Sequence, residues 1–489
     1  MTIAPPEPSA EGWLGRRRAG VDARLEARGT YQRWVLLTAL AGMFATTFPV
    51  TVLTVSLADI ADEFDTAETT IAWVISLPLL LSALALPVLG KLGDLRGHRR
   101  VFLIGFALAT VTAALTATAW DAPSLIFWRT ISQVIGAATQ PTSMALIMSV
   151  FPARDRVKAM GWWSMVAAGA PAVGLAVGGP LIEALGWPVL FLMQAALSAA
   201  ALGIALVVLR ETPRQPRAPF DVAGSAALAL GTGGLMFALT QGNSWGLDHP
   251  AVLVSLALAP VGFGLFVWAE RRAVAPLLPL WLLARTEFAA PVVASLFTGA
   301  AYMGGFFLAP LLLRTDDFGY SLSAISLIMI LRPIVYSTSS PVGGHIATRI
   351  GERTTAVIGS LVLAGSLALF AAAAAMGAIA VVVAALVLQG LGHGLNRPSI
   401  SAALANSVDE SNLGIAAASE RMMFQVGSSF GITVLTVVYG GTGQADDLAA
   451  AYLVGAGLGL VTAVACWWIR STDRSDRHLD VTDETEHAA

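Results

Sequence analysis

Apolar stretches of roughly 18–28 residues recur along the chain from Trp34 to Trp468, separated mostly by short polar loops. A bilayer core about 30 Å thick needs about 20 apolar residues per helical crossing. Fourteen such stretches can be drawn, at 34–56, 70–90, 101–119, 123–149, 159–182, 187–209, 222–240, 251–269, 288–312, 320–343, 355–375, 377–403, 412–438 and 448–469. Runs such as "SLVLAGSLALFAAAAAMGAIAVVVAALVLQG" do not alternate in polarity, as strands of a membrane barrel would. The pattern predicts an all-α integral membrane protein with 14 transmembrane helices. Its shallowest dip falls at Met376 and Gly377, so the helix count and the C-terminal orientation hang on that boundary.

Charge tests the count independently. With the N-terminus set on the inside, 24 of the 29 Lys and Arg fall on one side of the membrane and Arg314 alone on the other. The tail before the first span holds Arg16, Arg17, Arg18, Arg24, Arg28 and Arg33, while the first loop opposite holds Asp59, Asp62, Glu63, Asp65 and Glu68. The positive-inside rule then puts both termini in the cytoplasm. The first apolar stretch is too long for a cleaved leader and has no clear small-residue cleavage site, so it reads as a retained helix.

Composition agrees with this picture. The chain has 489 residues, 56% hydrophobic and 12% charged, with a mean hydropathy of +0.71. One cysteine, Cys466, excludes an internal disulfide and a cysteine-built metal cluster, and a net charge of −3 gives no reason to expect nucleic acid. No phosphate-binding lysine loop, histidine-rich metal signature or hydrolase serine motif is present, so neither an enzyme nor a cofactor is expected. The longest connection, "ERRAVAPLLPLWLLARTE" at 270–287, reads as a cytoplasmic connector or a short interfacial helix carrying Trp281.

The loop after span 2 reads "GKLGDLRGHRR", and the loop after span 10 echoes it as "GHIATRIGERT". Gly90 and Gly97 are spaced like Gly344 and Gly351, which points to a repeated bundle. Glycine permits tight turns and close approach. Asp94 can attract the positive end of a neighbouring helix or pair with an arginine. Arg96, Arg99 and Arg100 suffice to fix topology on their own.

These residues resemble the loop motif of the major facilitator superfamily, and the chain is similar to its 14-helix drug:proton antiporter branch. In span 4, "LIFWRTISQVIGAATQPTSMALI" resembles the helix-4 motif through Arg129, Gly136 and Pro141, with Gln133 in place of a glycine. In span 5, "GAPAVGLAVGGPL" resembles the antiporter motif through Pro171, Gly174, Gly178 and Gly179, with Leu175 in place of a proline. The likeness continues through "FDVAG", "FVWAERRAVAPLLPLWLL" and the region from Leu388 to Ile432, and covers about residues 34–469.

The resemblance implies a major facilitator fold. Six-helix bundles at 34–209 and 288–469 would flank a two-helix insertion with its connectors at 210–287, with cytoplasmic tails at 1–33 and 470–489. It also implies alternating access through a central path, export of amphiphilic small molecules in exchange for protons, a bacterial inner-membrane location, contact with membrane lipid and function as a monomer. Two other readings stay open at this stage. One is a carrier for a specific anionic metabolite, in either direction. The other is a membrane sensor or scaffold that transports nothing.

Charges inside the spans supply the candidate site. The resemblance places Arg129 in the proton-coupling region, and Gln133 shares its helix face one turn on. Arg332 sits near the middle of span 10, where a guanidinium demands partners, and Glu420 in span 13 is the expected one. Arg397 and Arg421 read as snorkelling inward. His393 and Asn396 in span 12, with Gln133 and Arg332, are the candidate cargo cavity. The family's span-1 acid is missing: Pro49 stands in its place, Thr54 where an asparagine belongs and Ala58 where a proline belongs, while Thr51 and Leu57 fit. Glu420 is therefore the preferred proton site.

Overall fold

The computed structural model describes residues 27–49, 57–66, 68–71, 73–212, 221–246, 248–273, 276, 278, 280–315, 318–320, 322–409, 412–440 and 444–470. Thr51 and Thr54, the arginines Arg16, Arg17, Arg18 and Arg24, and the segment after Arg470 lie outside them. Among the described residues the regular elements are all helices: α1 Tyr31–Thr47, α2 Leu57–Glu63, α3 Glu68–Ile71, α4 Trp73–Arg96, α5 His98–Thr116, α6 Ala122–Gly136, α7 Thr139–Val150, α8 Ala153–Leu185, α9 Pro188–Val208, α10 Val222–Trp245, α11 Pro250–Glu270, α12 Leu280–Ala284, α13 Thr286–Arg314, α14 Leu322–Met329, α15 Leu331–Ile350, α16 Glu352–Met376, α17 Ile379–Asn406, α18 Leu413–Tyr439 and α19 Ala445–Trp467. They account for fourteen crossings. Nine of the described helices are each long and apolar enough to cross a membrane alone.

Proline explains two crossings that are broken where the hydropathy pattern predicts one helix. Pro141 lacks the N–H that would reach back to Ala137, and the fourth crossing divides into α6 and α7 there. Pro333 has the same effect on α14 and α15, which part at Ile330. The uncertain boundary after α16 is real: Gly377 adopts φ 61, a left-handed cap that ends the helix. The stretch at 270–287 contributes the five-residue α12, with Trp281 exposed and Arg285 against its ring. At the opposite face Asp121 caps α6, accepting from the Ser124 N–H at 2.8 Å. The bonds from Ser124 hold the Asp121 carboxyl below its ordinary range.

Two seams join the early helices to the late ones: α4 packs along α18, and α8 along α15 and α17. Ser337 of α15 donates to the Met165 carbonyl of α8 at 2.9 Å. The pair α10 and α11 docks on α18 and α4, with Thr433 donating to the Leu239 carbonyl at 2.6 Å. The outer face of α11 exposes Leu253, Val254, Leu256, Val261, Leu265 and Trp268. A stripe of that kind fits acyl chains rather than water.

Candidate functional site

The basic loops gather at one face, and there the two seams are tied. Asp94, at the end of α4, is fully buried. Its carboxylate accepts from the Gly414 N–H at 2.9 Å and the Ile415 N–H at 3.0 Å. These are among the first amides of α18, and its N-cap residue Asn412 makes no side-chain capping bond. Asp94 therefore supplies, from another helix, the anion that a helix N-terminus attracts. His98 Nε2 lies 3.1 Å from the same carboxylate. Gly90 lets α4 and α18 meet, because a Cβ there would lie 2.5 Å from the Gly414 carbonyl oxygen. Gly97 has φ 94, and its echo Gly351 has φ 90. Each closes the turn between two antiparallel helices in a conformation that side chains resist.

The basic residues of this loop divide. The Arg99 N–H donates to Glu211 at 3.1 Å and its guanidinium to the Leu206 carbonyl at 3.1 Å, whereas Arg96 and Arg100 are exposed. A second tie crosses the same face, from Arg156 to the Asn406 side-chain oxygen at 2.9 Å.

Arg129 lies in the other half of the membrane, on α6. It is 3% exposed, and its Nε and one terminal nitrogen have no hydrogen-bond partner. Its guanidinium lies 5.6 Å from the centroid of the Phe191 ring of α9. Gln133, one turn on, lines a small polar recess with Thr46, Ser132, Gln140 and Gln194. Pro171, Gly174, Gly178 and Gly179 all lie on the unbroken helix α8, so Pro171 does not interrupt it.

The remaining candidates fall in the late helices, and two of the expected contacts are different. Glu420 does not meet Arg332. It pairs with Arg397 at 3.1 Å and accepts from Ser401 at 2.8 Å. Arg397 accordingly does not snorkel; it is 4% exposed and turned toward α18. Sequence held a signal for this pairing: Arg397 and Glu420 are equidistant from the turn near Ser407–Asp409, so an antiparallel hairpin of α17 and α18 sets them at one depth.

Arg332 sits instead among rings. Its guanidinium lies 3.3 Å from the Phe306 centroid and 4.1 Å from that of Tyr302, with a 3.5 Å bond to the Tyr302 carbonyl. His393 stacks on Tyr302 at 3.8 Å and leans on Tyr336 at 4.5 Å. Asn396 is not part of this group. It donates to Ser360 of α16 at 2.6 Å and accepts from Thr298 of α13 at 3.4 Å, inside the packing of the late helices. Among the described residues no cluster of side chains could hold a metal ion.

Long apolar helices, an acid latched onto a helix end across one seam, and charges buried within the crossings define a polytopic membrane protein. The family model of the major facilitator superfamily matches residues 39–315 and 292–488, and the chain belongs to that family. It is 28% identical to the tetracenomycin C resistance and export protein of Streptomyces glaucescens, over 83% of this chain and 76% of that protein. It is 29% identical to the methylenomycin A resistance protein of Streptomyces coelicolor, over 92% and 95%. The proton:xylose symporter XylE shares the fold, with a TM-score of 0.65 at 13% identity, over 91% of this chain and 97% of that one.

Proposed function

We propose that this protein is a secondary active exporter of amphiphilic small molecules that exchanges cargo for protons by alternating access. The bundles at 34–209 and 288–469 rock about the seams, and both termini lie in the cytoplasm of a bacterial cell. The chain acts as a monomer in lipid. The observation that carries the reading is Glu420, a carboxyl 1% exposed in the interior of the late helices, held by Arg397 and Ser401. A proton arriving there removes the charge that holds Arg397, so protonation repacks the junction of α17 and α18. Arg129 assists coupling from the early helices, and Gln133, Arg332 and His393 line the cargo path. The two Streptomyces relatives, a tetracenomycin C resistance and export protein and a methylenomycin A resistance protein, support an outward direction and a drug-like cargo.

Cells expressing the chain should accumulate less of a fluorescent amphiphile than cells carrying an empty vector. A protonophore should abolish the difference. Equal accumulation in the two strains, across a panel of amphiphiles, would count against export.

A further inference from the structure

The interior of the late helices holds more positive charge than it can balance. Arg332 is buried against Tyr302, Arg397 and Arg421 lie against Phe424, both rings contact His393, and Glu420 is the carboxylate paired among these cations. Glu420 is taken by Arg397. Arg332 is 5% exposed and, among the described residues, has no carboxylate within ion-pair distance. Its Nε has no hydrogen-bond partner, and its bond to the Tyr302 carbonyl is at the long limit. Two aromatic faces stabilise the cation in part. They do not replace the paired acceptors that a planar guanidinium fork is shaped to meet. A buried guanidinium left in that condition is costly and keeps donor capacity that an anion could fill.

We propose that Arg332, framed by Tyr302, Phe306 and His393, binds the anionic group of the cargo, and that the cargo is an aromatic organic acid carried as its anion. This rests on the export reading and adds the sign of the cargo's charge. A carboxylate or phenolate meets the guanidinium edge; Tyr302, Tyr336 and Phe424 are closed on His393 in this conformation, so the attached ring enters among them as those rings part. A cationic amphiphile would meet the uncompensated guanidinium of Arg332 instead. Charge alone makes an anion at Arg332 and a proton on Glu420 attract one another, so exchange requires that different conformations load the two. Equilibrium binding at Arg332 can be measured apart from that cycle.

The test is binding of three matched probes to purified full-length protein: naphthalene-2-carboxylate, naphthalene-2-carboxamide and 2-naphthylmethylammonium. The carboxylate should bind at least tenfold more tightly than the amide, and the ammonium most weakly. Arg332→Gln should erase the carboxylate preference while leaving amide affinity unchanged. Arg332→Lys should keep part of it, which also controls for misfolding. Equal affinities, tighter binding of the ammonium, or a carboxylate preference that survives Arg332→Gln would overturn the proposal. Selective carboxylate binding without any export from cells would instead sink the export reading and leave the site standing, whereas export of cations alone would do the reverse.

Discussion

Replacing Asp94 by Asn should loosen the basic face without unfolding either half. The carboxylate accepts two buried backbone N–H groups, at 2.9 and 3.0 Å, from the first turn of α18. Hydrogen bonds to a charged acceptor contribute about 1.5–3 kcal/mol each. Asparagine can still accept one of the two, but it turns an NH2 toward the other and gives up the charge that the helix end attracts. The net loss is about 2–4 kcal/mol, equivalent to roughly a 30- to 1000-fold change in the ratio of closed to open forms. Ala405 reports on that ratio. It is 1% exposed and lies in a cluster that joins Met148, Ala159 and Met160 to Leu413 and Ala417 across the seam. In a Cys466→Ser background, Ala405→Cys should react slowly with a maleimide, and adding Asp94→Asn should raise the rate steeply. Turnover should fall while equilibrium cargo affinity changes little. An unchanged alkylation rate in a folded Asp94→Asn protein, with normal turnover, would refute the argument.

Other outcomes follow from the same geometry. Arg129→Ala should cut proton-coupled transport about tenfold or more, since a charged donor set is removed from a site that offers no substitute; Arg129→Lys should restore charge but not the planar fork, and near-normal transport by a stable Ala variant would contradict the role. Glu420→Gln should flatten the pH dependence of transport and suppress gradient-driven accumulation while some cargo binding persists; persistent pH-dependent accumulation excludes Glu420 as the carrier. Glu420→Gln combined with Arg397→Gln should recover thermal stability, because the unpaired guanidinium is gone, and should not recover coupling; a double variant that transports normally would make the pair purely structural. Impermeant labelling should reach position 245 from outside and positions 20 and 480 only after the membrane is opened; any reversal overturns the proposed orientation.

Much of the fold was legible because a bilayer imposes length and polarity on every crossing. The residues that end or break helices were less so. Gly377 could be suspected from a dip in hydropathy, whereas the breaks before Pro141 and Pro333 lie inside unbroken apolar runs, where proline is tolerated often enough to be uninformative. The site was read only in part. Asp94 was legible because glycines and an acid among basic residues have few uses in a loop. Arg332 and Glu420 were each recognisable as costly, but sequence carries no distances, and the partner assumed for one belongs to Arg397. The equal spacing of Arg397 and Glu420 from their turn was the available clue. Asn396 gave none, since only the approach of Ser360 on α16 and Thr298 on α13 draws it into the packing.

The central claim is that cargo movement is driven by protons moving the other way. Purified protein in liposomes with an acidic lumen should concentrate an amphiphilic cargo inside above its external level, as protons leave through the carrier. Collapsing the gradient with nigericin should release that excess and return uptake to equilibration. Identical uptake with and without the gradient, by protein shown to bind the cargo, would contradict proton exchange.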